Sequence, residues 1–280
     1  MKLGILYIVT GRYLPLFSEF YQSSEKFFFP GVQKQYFIFT DEVDHAAFKK
    51  ENISTFYQEH LEWPYITLFR FRMFNSIKSE IKKCNYVFFC NANTLFVKKV
   101  SKEILPDSSD SGLVAATSNP LVFARDRSVW TYERNPESLA YVPFGSEGPF
   151  YYRGCFNGGS SKAFIKMSEE LDCRIQQDLS RGVIALWHDE SHLNKYFSEL
   201  SPHPKMLDPG YAYGEQWPCR NLIEPVILMR DKTKLYGSLE LLRGVEDDRY
   251  SRRTLYPRFF RRIISLIKKL YLQSEIRNSK

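Results

Sequence analysis

The chain has 280 residues, 44% of them hydrophobic and 16% aromatic, which is enough apolar side chain to bury the core of a globular domain. This composition excludes a disordered chain and a collagen-like repeat. The net charge of +7 is concentrated in residues 251–280, where nine residues are basic and one is acidic. The rest of the chain is nearly neutral, so we expect no nucleic-acid partner.

The cysteines and the amino terminus bear on the cellular compartment. The five cysteines show no CxxC pair and no Cys/His ligand spacing, so we expect reduced thiols rather than a zinc site or a disulfide framework. The apolar run at residues 5–9 is too short for a secretory signal, and no stretch approaches the roughly 20 apolar residues of a membrane span. We therefore expect a cytoplasmic protein with a soluble body.

The first half of the chain alternates between two hydrophobic patterns. Continuous apolar runs predict buried strands at residues 3–9, 36–39 and 86–90. Helical spacing of apolar residues predicts helices over residues 17–29 and 63–81. Strands that alternate with helices indicate βαβ units, and the predicted fold class is therefore α/β with a mostly parallel sheet.

The second half of the chain is less regular. We predict helices over residues 162–179 and 188–197, a proline-rich loop over 201–214 and a strand over 226–229. The chain contains no internal repeat and no low-complexity linker, which favours a single domain over residues 1–250.

The carboxyl-terminal segment, residues 251–280, has a different character. Its apolar residues recur at helical spacing over residues 257–273, with arginines and lysines between them. A basic amphipathic helix of this kind lies on an anionic membrane surface when its apolar face has no protein core to meet. The alternative is a helix that docks on the domain and leaves its basic residues solvated. We favour peripheral contact with the inner face of the cytoplasmic membrane.

The tripeptide Asn91-Ala92-Asn93 directly follows the predicted strand 86–90. Ligands of α/β sheets bind beyond the carboxyl ends of the strands, so these asparagines occupy a position typical of a binding site. Asparagines also form ordinary turns after strands. The residues by themselves leave both interpretations open.

Residues 187–192, Trp-His-Asp-Glu-Ser-His, bring six functional side chains together. A carboxylate in a cleft, from Asp189 or Glu190, can act as a nucleophile or stabilise an oxocarbenium-like centre. The acids can also simply favour the dipole at a helix start. His188 and His192 lack a third ligand and are weak evidence for a metal.

Two adjacent glycines, Gly158 and Gly159, precede the predicted helix 162–179. Glycines at such a position either allow close approach of a ligand to the backbone or form a turn. We predict a turn, with Ser160 or Ser161 as the helix cap.

Five motifs in fixed order extend over most of residues 3–245: Trp63-Pro64-x-x-Thr67-Leu68-x-Arg70-Phe71, Asn91-Ala92-Asn93, Thr131-Tyr132-Glu133-Arg134 with Ala140-Tyr141-Val142-Pro143, Tyr151-Tyr152 through Asn157-Gly158-Gly159, and residues 187–196. In this order they resemble glycosyltransferase family 6, which contains the histo-blood-group A and B transferases and the α-1,3-galactosyltransferases. The resemblance implies a single-domain GT-A fold, Rossmann-like and nucleotide-sugar-binding. It also implies transfer from a UDP-linked donor, with retention, to O3 of a galactose that usually carries α-1,2-linked fucose.

The resemblance also implies roles for individual residues. Glu190 matches the catalytic carboxylate, either as a nucleophile or as a stabiliser of an ion pair. The positions that match donor contacts are Ile8, Val9, Thr10, Tyr13, Arg70, Asn91, Asn93, Gly154, Cys155, Asp189, Lys232, Lys234 and Arg243. Those that match acceptor contacts are Asn119, Thr131, Trp187 and His188. Two departures on the acceptor side are Asn119, where relatives usually have histidine, and Gly214, near a position that is often aspartate.

In animal members the segment that matches Asn91-Ala92-Asn93 reads Asp-x-Asp and holds manganese. Neutral amides do not offset the charge of a divalent ion, so we expect neither a metal nor another cofactor here. The diphosphate leaving group must then be neutralised by side-chain cations, for which Lys232, Lys234 and Arg243 are candidates.

The family discriminates between donors around Arg153-Gly154-Cys155. Cys155 is larger than glycine or alanine and would crowd an acetamido group, which favours UDP-galactose and a product of the B-antigen type. The alternative is transfer of N-acetylgalactosamine to give an A-type product. A third possibility is an inactive sugar-binding module. We expect the acceptor to belong to a bacterial surface glycan, such as O-antigen, or its lipid-linked precursor.

Overall fold

The structure is a computed structural model that describes residues 1–118, 130–217 and 222–237. Two predicted site residues, Asn119 and Arg243, lie outside the described residues. The predicted amphipathic tail, residues 251–280, and the predicted domain boundary at residue 250 also lie outside them.

The described residues form ten strands and seven α-helices. The strands are β1 Lys2–Ile8, β2 Gln33–Thr40, β3 Ile53–Tyr57, β4 Tyr86–Cys90, β5 Thr94–Phe96, β6 Leu113–Thr117, β7 Tyr152–Ser160, β8 Lys205–Leu207, β9 Tyr213–Gly214 and β10 Ile227–Met229. The helices are α1 Leu16–Phe27, α2 Tyr65–Leu68, α3 Arg70–Ser76, α4 Lys78–Ile81, α5 Ser161–Ser180, α6 Asp189–Glu199 and α7 Lys232–Tyr236.

A seven-stranded sheet in the order β3-β2-β1-β4-β7-β6-β8 forms the centre of the molecule. The strands β3, β2, β1 and β4 are parallel, whereas β7 runs antiparallel to both β4 and β6. A small sheet, β5-β10-β9, lies beside it. The amino end of β7 therefore lies at the same edge as the carboxyl ends of β1 and β4.

Helices cover both faces of the large sheet. On one face, Phe17 and Phe20 of α1 pack in a core cluster with Tyr7 of β1. On the other face, Phe74 of α3 and Phe164 of α5 pack with the next layer of strand side chains. Alternate residues of the buried strands serve the two faces, which explains their continuous apolar sequences. The predicted α/β class is confirmed, and the arrangement agrees with the GT-A fold that the resemblance implies.

The predicted helix 63–81 is interrupted and forms α2, α3 and α4. The breaks occur at Phe69 and Ile77, and the φ and ψ angles of Ile77 are −116° and 22°, outside the helical region. The apolar face is nevertheless buried as predicted, because Phe71 and Phe74 point into the core. Burial of this face does not require a continuous helix.

The predicted turn at Gly158-Gly159 is wrong, because both glycines lie inside the central strand β7. A side chain at Gly158 would place its Cβ 2.4 Å from the carbonyl oxygen of Val87 on β4. The glycines thus allow β7 and β4 to approach closely. Adjacent glycines are also typical of turns, which is why the sequence pattern predicted a turn here instead of a strand. The predicted loop 201–214 likewise contains β8 and β9.

No helix within the described ranges combines the length and the hydropathy needed to cross a bilayer. The cysteines of these ranges, Cys84, Cys90, Cys155 and Cys173, are all free thiols.

Candidate active site

A cleft of about 370 Å³ opens at the carboxyl ends of β1 and β4. The amino end of β7 and the first residues of α3, α6 and α7 close it from the other sides. Its lining residues are Ile8, Thr10, Tyr13, His60, Leu61, Trp63, Ile66, Thr67, Arg70, Phe89, Asn91, Ala92, Arg153, Gly154, Cys155, Trp187, Asp189, Glu190 and Lys232. The position is the one at which α/β sheets bind ligands.

Arg70, the first residue of α3, connects three elements of the cleft. Its Nη1 lies 2.7 Å from Oδ2 of Asp189 and donates a hydrogen bond of 2.9 Å to the carbonyl oxygen of Gly154. The guanidinium also stacks 4.4 Å from the ring centroid of Phe89 on β4. A planar group is needed to make all three contacts at once, which explains why arginine stands here.

Asp189, the first residue of α6, is buried next to Arg70. Burial raises the pKa of this carboxyl group to about 7, and the charge of Glu190 adds to the rise while Arg70 opposes it. Desolvation therefore outweighs the ion pair. Asp189 therefore gains or loses its negative charge near neutral pH, and the net charge of the cleft changes with it.

Glu190 is the second carboxylate, and both of its oxygens accept hydrogen bonds. The backbone N–H of Gly154 donates to Oε2 at 2.6 Å, and the hydroxyl of Tyr151 donates to Oε1 at 3.1 Å. The orientation of the carboxylate in the cleft is therefore set by two groups at the start of β7.

Asn194 docks helix α6 against β7 and so fixes the position of both carboxylates. Its Oδ1 accepts from the backbone N–H of Tyr152 at 2.8 Å, and its Nδ2 donates to the carbonyl oxygen of Tyr152 at 2.8 Å. The same amide donates to the carbonyl oxygen of Glu190 at 2.9 Å. The Asn194 side chain thereby hydrogen-bonds both the backbone of β7, at Tyr152, and the backbone of α6, at Glu190.

The entry to α6 has an unusual backbone. His188 adopts φ 52° and ψ −121°, although it is not a glycine, and its ring lies edge-on to Trp63 at 4.6 Å. Non-glycine residues with positive φ are uncommon and concentrate at functional sites. The preceding residue, Trp187, lines the cleft, and its indole Nε1 is buried without a hydrogen-bond partner.

The amides of Asn91 and Asn93 connect the turn after β4 to the neighbouring sheet. Nδ2 of Asn91 donates to Oδ1 of Asn93 at 3.0 Å, and Nδ2 of Asn93 donates to the carbonyl oxygen of Arg230 at 2.6 Å. Asn91 lines the cleft, whereas Asn93 is absent from its lining. Within the described residues, no group of three or more His, Cys, Asp or Glu side chains is placed to hold a metal ion.

At the far end of the cleft, β1 and its following turn face α7. Thr10 Oγ1 lies 3.2 Å from Nδ1 of His60, and the ammonium of Lys232 lies 5.0 Å from the ring centroid of Tyr13. This end combines an aromatic ring, hydroxyl groups and a cation. Such a set suits a nucleotide with its phosphate.

The structure brings most of the predicted site residues into this cleft. The described residues that were predicted but do not line it are Val9, Asn93, Thr131, His188 and Lys234. Their contacts with a ligand stay predictions. The lining residues that are not among the predicted contacts are His60, Leu61, Trp63, Ile66, Thr67, Phe89, Ala92 and Arg153. Arg153 nevertheless belongs to the segment 153–155 that the resemblance connects with donor choice, whereas His60 carries no signal because it lies in an irregular segment.

Gly154 packs directly against the two carboxylates. A Cβ at this position would lie 3.2 Å from Asp189 Oδ2 and 3.4 Å from Glu190 Oε2. We expect Gly154→Ala to displace both groups and to lower kcat by about tenfold, since small misplacements of reacting groups are costly. Gly148→Ala is the matched control, because its Cβ would make an ordinary contact of 3.5 Å. Equal activity of the two variants would contradict the proposed packing role.

Comparison with known proteins identifies relatives of the whole described part of the chain. Residues 1–238 match the model of Glycosyltransferase family 6. The O-antigen biosynthesis glycosyltransferase WbnI of Escherichia coli is 32% identical over 243 residues, which cover 86% of this chain and 100% of that protein.

Animal proteins match over a shorter part of their length. Histo-blood group ABO system transferase 2 of Rattus norvegicus is 28% identical, over 77% of this chain and 65% of that protein. Globoside alpha-1,3-N-acetylgalactosaminyltransferase 1 of Gallus gallus is 29% identical, over 78% of this chain and 63% of that protein. The matched regions thus span less than two thirds of these two animal relatives.

Proposed function

The chain belongs to glycosyltransferase family 6, and we propose that it transfers galactose from UDP-galactose, in α-1,3 linkage and with retention, to a galactose-terminated acceptor. The observation that carries this proposal is Glu190, a carboxylate held at both oxygens in a cleft that also contains the Arg70–Asp189 pair. A nucleotide-sugar donor and a glycan acceptor follow from the family. The sugar, the linkage and the acceptor are the proposed part.

In the proposed reaction, the bond between C1 of galactose and the phosphate oxygen of UDP breaks, and its electron pair leaves with UDP. The acceptor O3 forms the new bond to C1 on the same face, and its proton passes to the departing phosphate. Positive charge develops on C1 and the ring oxygen, and Glu190 stabilises it. Because both Glu190 oxygens already accept hydrogen bonds, we favour this electrostatic role over covalent attack.

The negative charge that develops on UDP needs compensation. Within the described residues, Lys232 and Arg153 line the cleft in addition to Arg70. We propose that such cations stabilise the leaving group and that transfer requires no divalent metal, since Asn91 offers a neutral amide. In the described structure Lys234 is exposed, and its contribution, like that of Arg243, is part of this proposal.

The choice of galactose rests on Cys155, which lines the cleft. Burial raises the pKa of this thiol, so it remains neutral at physiological pH. We propose that this wall excludes the acetamido group of UDP-N-acetylgalactosamine. A hydrophobic wall of this size discriminates by about 10- to 200-fold.

A competition between the two donors, with 2′-fucosyllactose as acceptor and EDTA present, tests the donor and the metal together. We expect galactosyl product in excess, undiminished by the chelator. Cys155→Ala should raise the share of the N-acetylgalactosaminyl product, whereas Cys84→Ala, at a buried cysteine away from the cleft, should not. Equal use of both donors by the wild type would contradict the steric argument, and loss of activity in EDTA would contradict metal independence.

One observation favours a second candidate, an N-acetylgalactosaminyltransferase. The chicken relative that is 29% identical bears that activity in its name. A wild-type preference for UDP-N-acetylgalactosamine in the same competition would establish this alternative. An inactive sugar-binding module would form neither product.

We propose that the acceptor is α-1,2-fucosylated and belongs to a bacterial surface glycan or its lipid-linked precursor. The similarity to an E. coli protein of O-antigen biosynthesis supports the surface-glycan part of this proposal, and the fucosylated acceptor rests on the family resemblance. Such precursors are made at the inner face of the cytoplasmic membrane, and the basic segment 251–280 would bring the enzyme there.

Deletion of residues 251–280 should move the protein from the membrane fraction to the cytosol. Activity on soluble acceptors should persist, because every lining residue of the cleft within the described ranges precedes residue 238. Fractionation of cells that express the full chain or the truncated chain measures the change. A truncated protein that stays with the membrane would show that the tail is not the anchor.

A further inference from the structure

Tyr151 does not line the cleft, yet its hydroxyl contacts the carboxylate that the reaction needs. We propose that Tyr151 is a positioning residue that holds Glu190 in its reactive orientation. The inference deepens the proposed function and rests on it. It assigns a role to the first residue of the motif Tyr151-Tyr152.

The Glu190 carboxylate accepts hydrogen bonds from two donors of different kinds, a backbone N–H and a side-chain hydroxyl. The backbone N–H of Gly154 holds Oε2 and is part of the strand region, so no side-chain substitution removes it directly. The hydroxyl of Tyr151 holds Oε1 and comes from a side chain. Without Tyr151, the carboxylate would retain the contact at Oε2 and could rotate about it.

Tyr151 is itself rigidly placed. It is 4% exposed and belongs to a small hydrophobic cluster with Trp130, Tyr132 and Val142. Its ring meets that of Tyr132 edge-to-face at 5.3 Å. A side chain with so little freedom can fix the direction of a hydrogen bond, since few rotamers are open to it.

The hydroxyl of Tyr151 remains a donor over the whole working pH range. Burial raises the pKa of this phenol well above its ordinary value, and the nearby charge of Glu190 raises it further. The same hydroxyl also lies 3.5 Å from the carbonyl oxygen of Thr131. The stronger acceptor is the carboxylate, so the proton points to Glu190.

The first test compares Tyr151→Phe with Tyr132→Phe. Both variants lose one hydroxyl from the same cluster, but the Tyr132 hydroxyl donates to the carbonyl oxygen of Phe150 at 3.1 Å and not to Glu190. We expect Tyr151→Phe to lower kcat by about 10- to 100-fold with KM for the donor nearly unchanged. Tyr132→Phe should alter kcat by less than about threefold. Equal losses in the two variants would overturn the inference.

A double-mutant cycle separates positioning from a general structural role. In Glu190→Asp the shorter carboxylate is withdrawn from Tyr151, so adding Tyr151→Phe should cost less than about twofold further. A structural role would produce the same loss in both backgrounds. That result would overturn the inference even if Tyr151→Phe alone were impaired.

Crystal structures of the two phenylalanine variants give a readout that needs no substrate. The Glu190 carboxylate should rotate in Tyr151→Phe and stay in place in Tyr132→Phe. An unmoved carboxylate in both would overturn the inference. If the wild type transfers neither sugar while the carboxylate rotates as expected, the proposed function fails and the positioning role of Tyr151 stands.

Discussion

Substitution of Glu190 by glutamine is expected to slow glycosyl transfer by about 10³-fold or more, with the affinity for UDP unchanged within about twofold. Glutamine has nearly the same shape, and its oxygen can still accept one of the two hydrogen bonds that reach position 190. It lacks the negative charge that, in the proposed mechanism, stabilises the developing positive charge at C1. The change therefore removes an interaction of the transition state and leaves binding of the ground state intact.

The matched control is Glu199→Gln at the other end of helix α6. Glu199 pairs with Lys195 and Arg174 at the surface and lies outside the cleft. Transfer measured by mass spectrometry and UDP affinity measured by calorimetry give both quantities for each variant. Transfer by Glu190→Gln at more than about a tenth of the wild-type rate would show that Glu190 is not the reactive carboxylate.

Replacement of Arg70 by alanine should affect stability and activity together. The variant leaves the buried carboxyl group of Asp189 without its ion-pair partner and the carbonyl oxygen of Gly154 without its arginine donor. Loss of one partner of a buried pair typically lowers the free energy of unfolding by about 3 to 5 kcal/mol. We also expect kcat/KM to fall by about 100-fold or more, because the cleft loses a cation that, in the proposed reaction, stabilises the leaving group.

The stability deficit of Arg70→Ala should depend on pH. Burial raises the pKa of Asp189 to about 7 in the folded protein, so the ion pair is fully formed only above that pH. Below that pH, Asp189 is protonated in the folded state, so removal of Arg70 lowers the free energy of unfolding by less. The difference in unfolding free energy between wild type and variant should therefore grow as the pH rises from about 6 to about 8.

Arg72→Ala provides the control for Arg70→Ala. Arg72 lies on the same helix α3, but its side chain is largely exposed and stacks 5.2 Å from the ring centroid of Phe69. We expect a change in unfolding free energy below about 1 kcal/mol for this variant, as for other surface charges. A similar deficit in the two variants, or a deficit of Arg70→Ala that falls as the pH rises, would contradict the buried-pair interpretation.

Glu190 and Arg70 are connected through Gly154 at the carboxyl ends of β1 and β4. Gly154 lies between them, accepting a hydrogen bond from Arg70 through its carbonyl oxygen and donating one to Glu190 through its N–H. The start of β7 therefore sets the distance between the Arg70 guanidinium and the Glu190 carboxylate. Substitutions at Gly154, Arg70 and Tyr151 are expected to be non-additive for that reason.

Sequence patterns alone establish the fold class and the family, and they predict most of the site residues, eleven of which line the cleft. Continuous apolar runs mark β1 and β4 because both of their faces are buried, and β4 begins and ends where predicted. The position of Asn91 after a buried strand and the acids at the start of α6 are local features. A single sequence carries such features directly.

Which side chains contact one another follows from the packing of the helices and strands and could not be predicted from the sequence. Glu190 and Tyr151 are separated by 39 residues, and Arg70 and Gly154 by 84. Their contacts depend on the antiparallel register of β7 beside β4. The sequence pattern did not predict β7 as a strand, because its two adjacent glycines are typical of a turn. Local patterns report which face of an element is buried, but distances between elements follow from how the layers pack. Glu190 could therefore be predicted as a site residue from the sequence, whereas the two donors that orient its carboxylate could not.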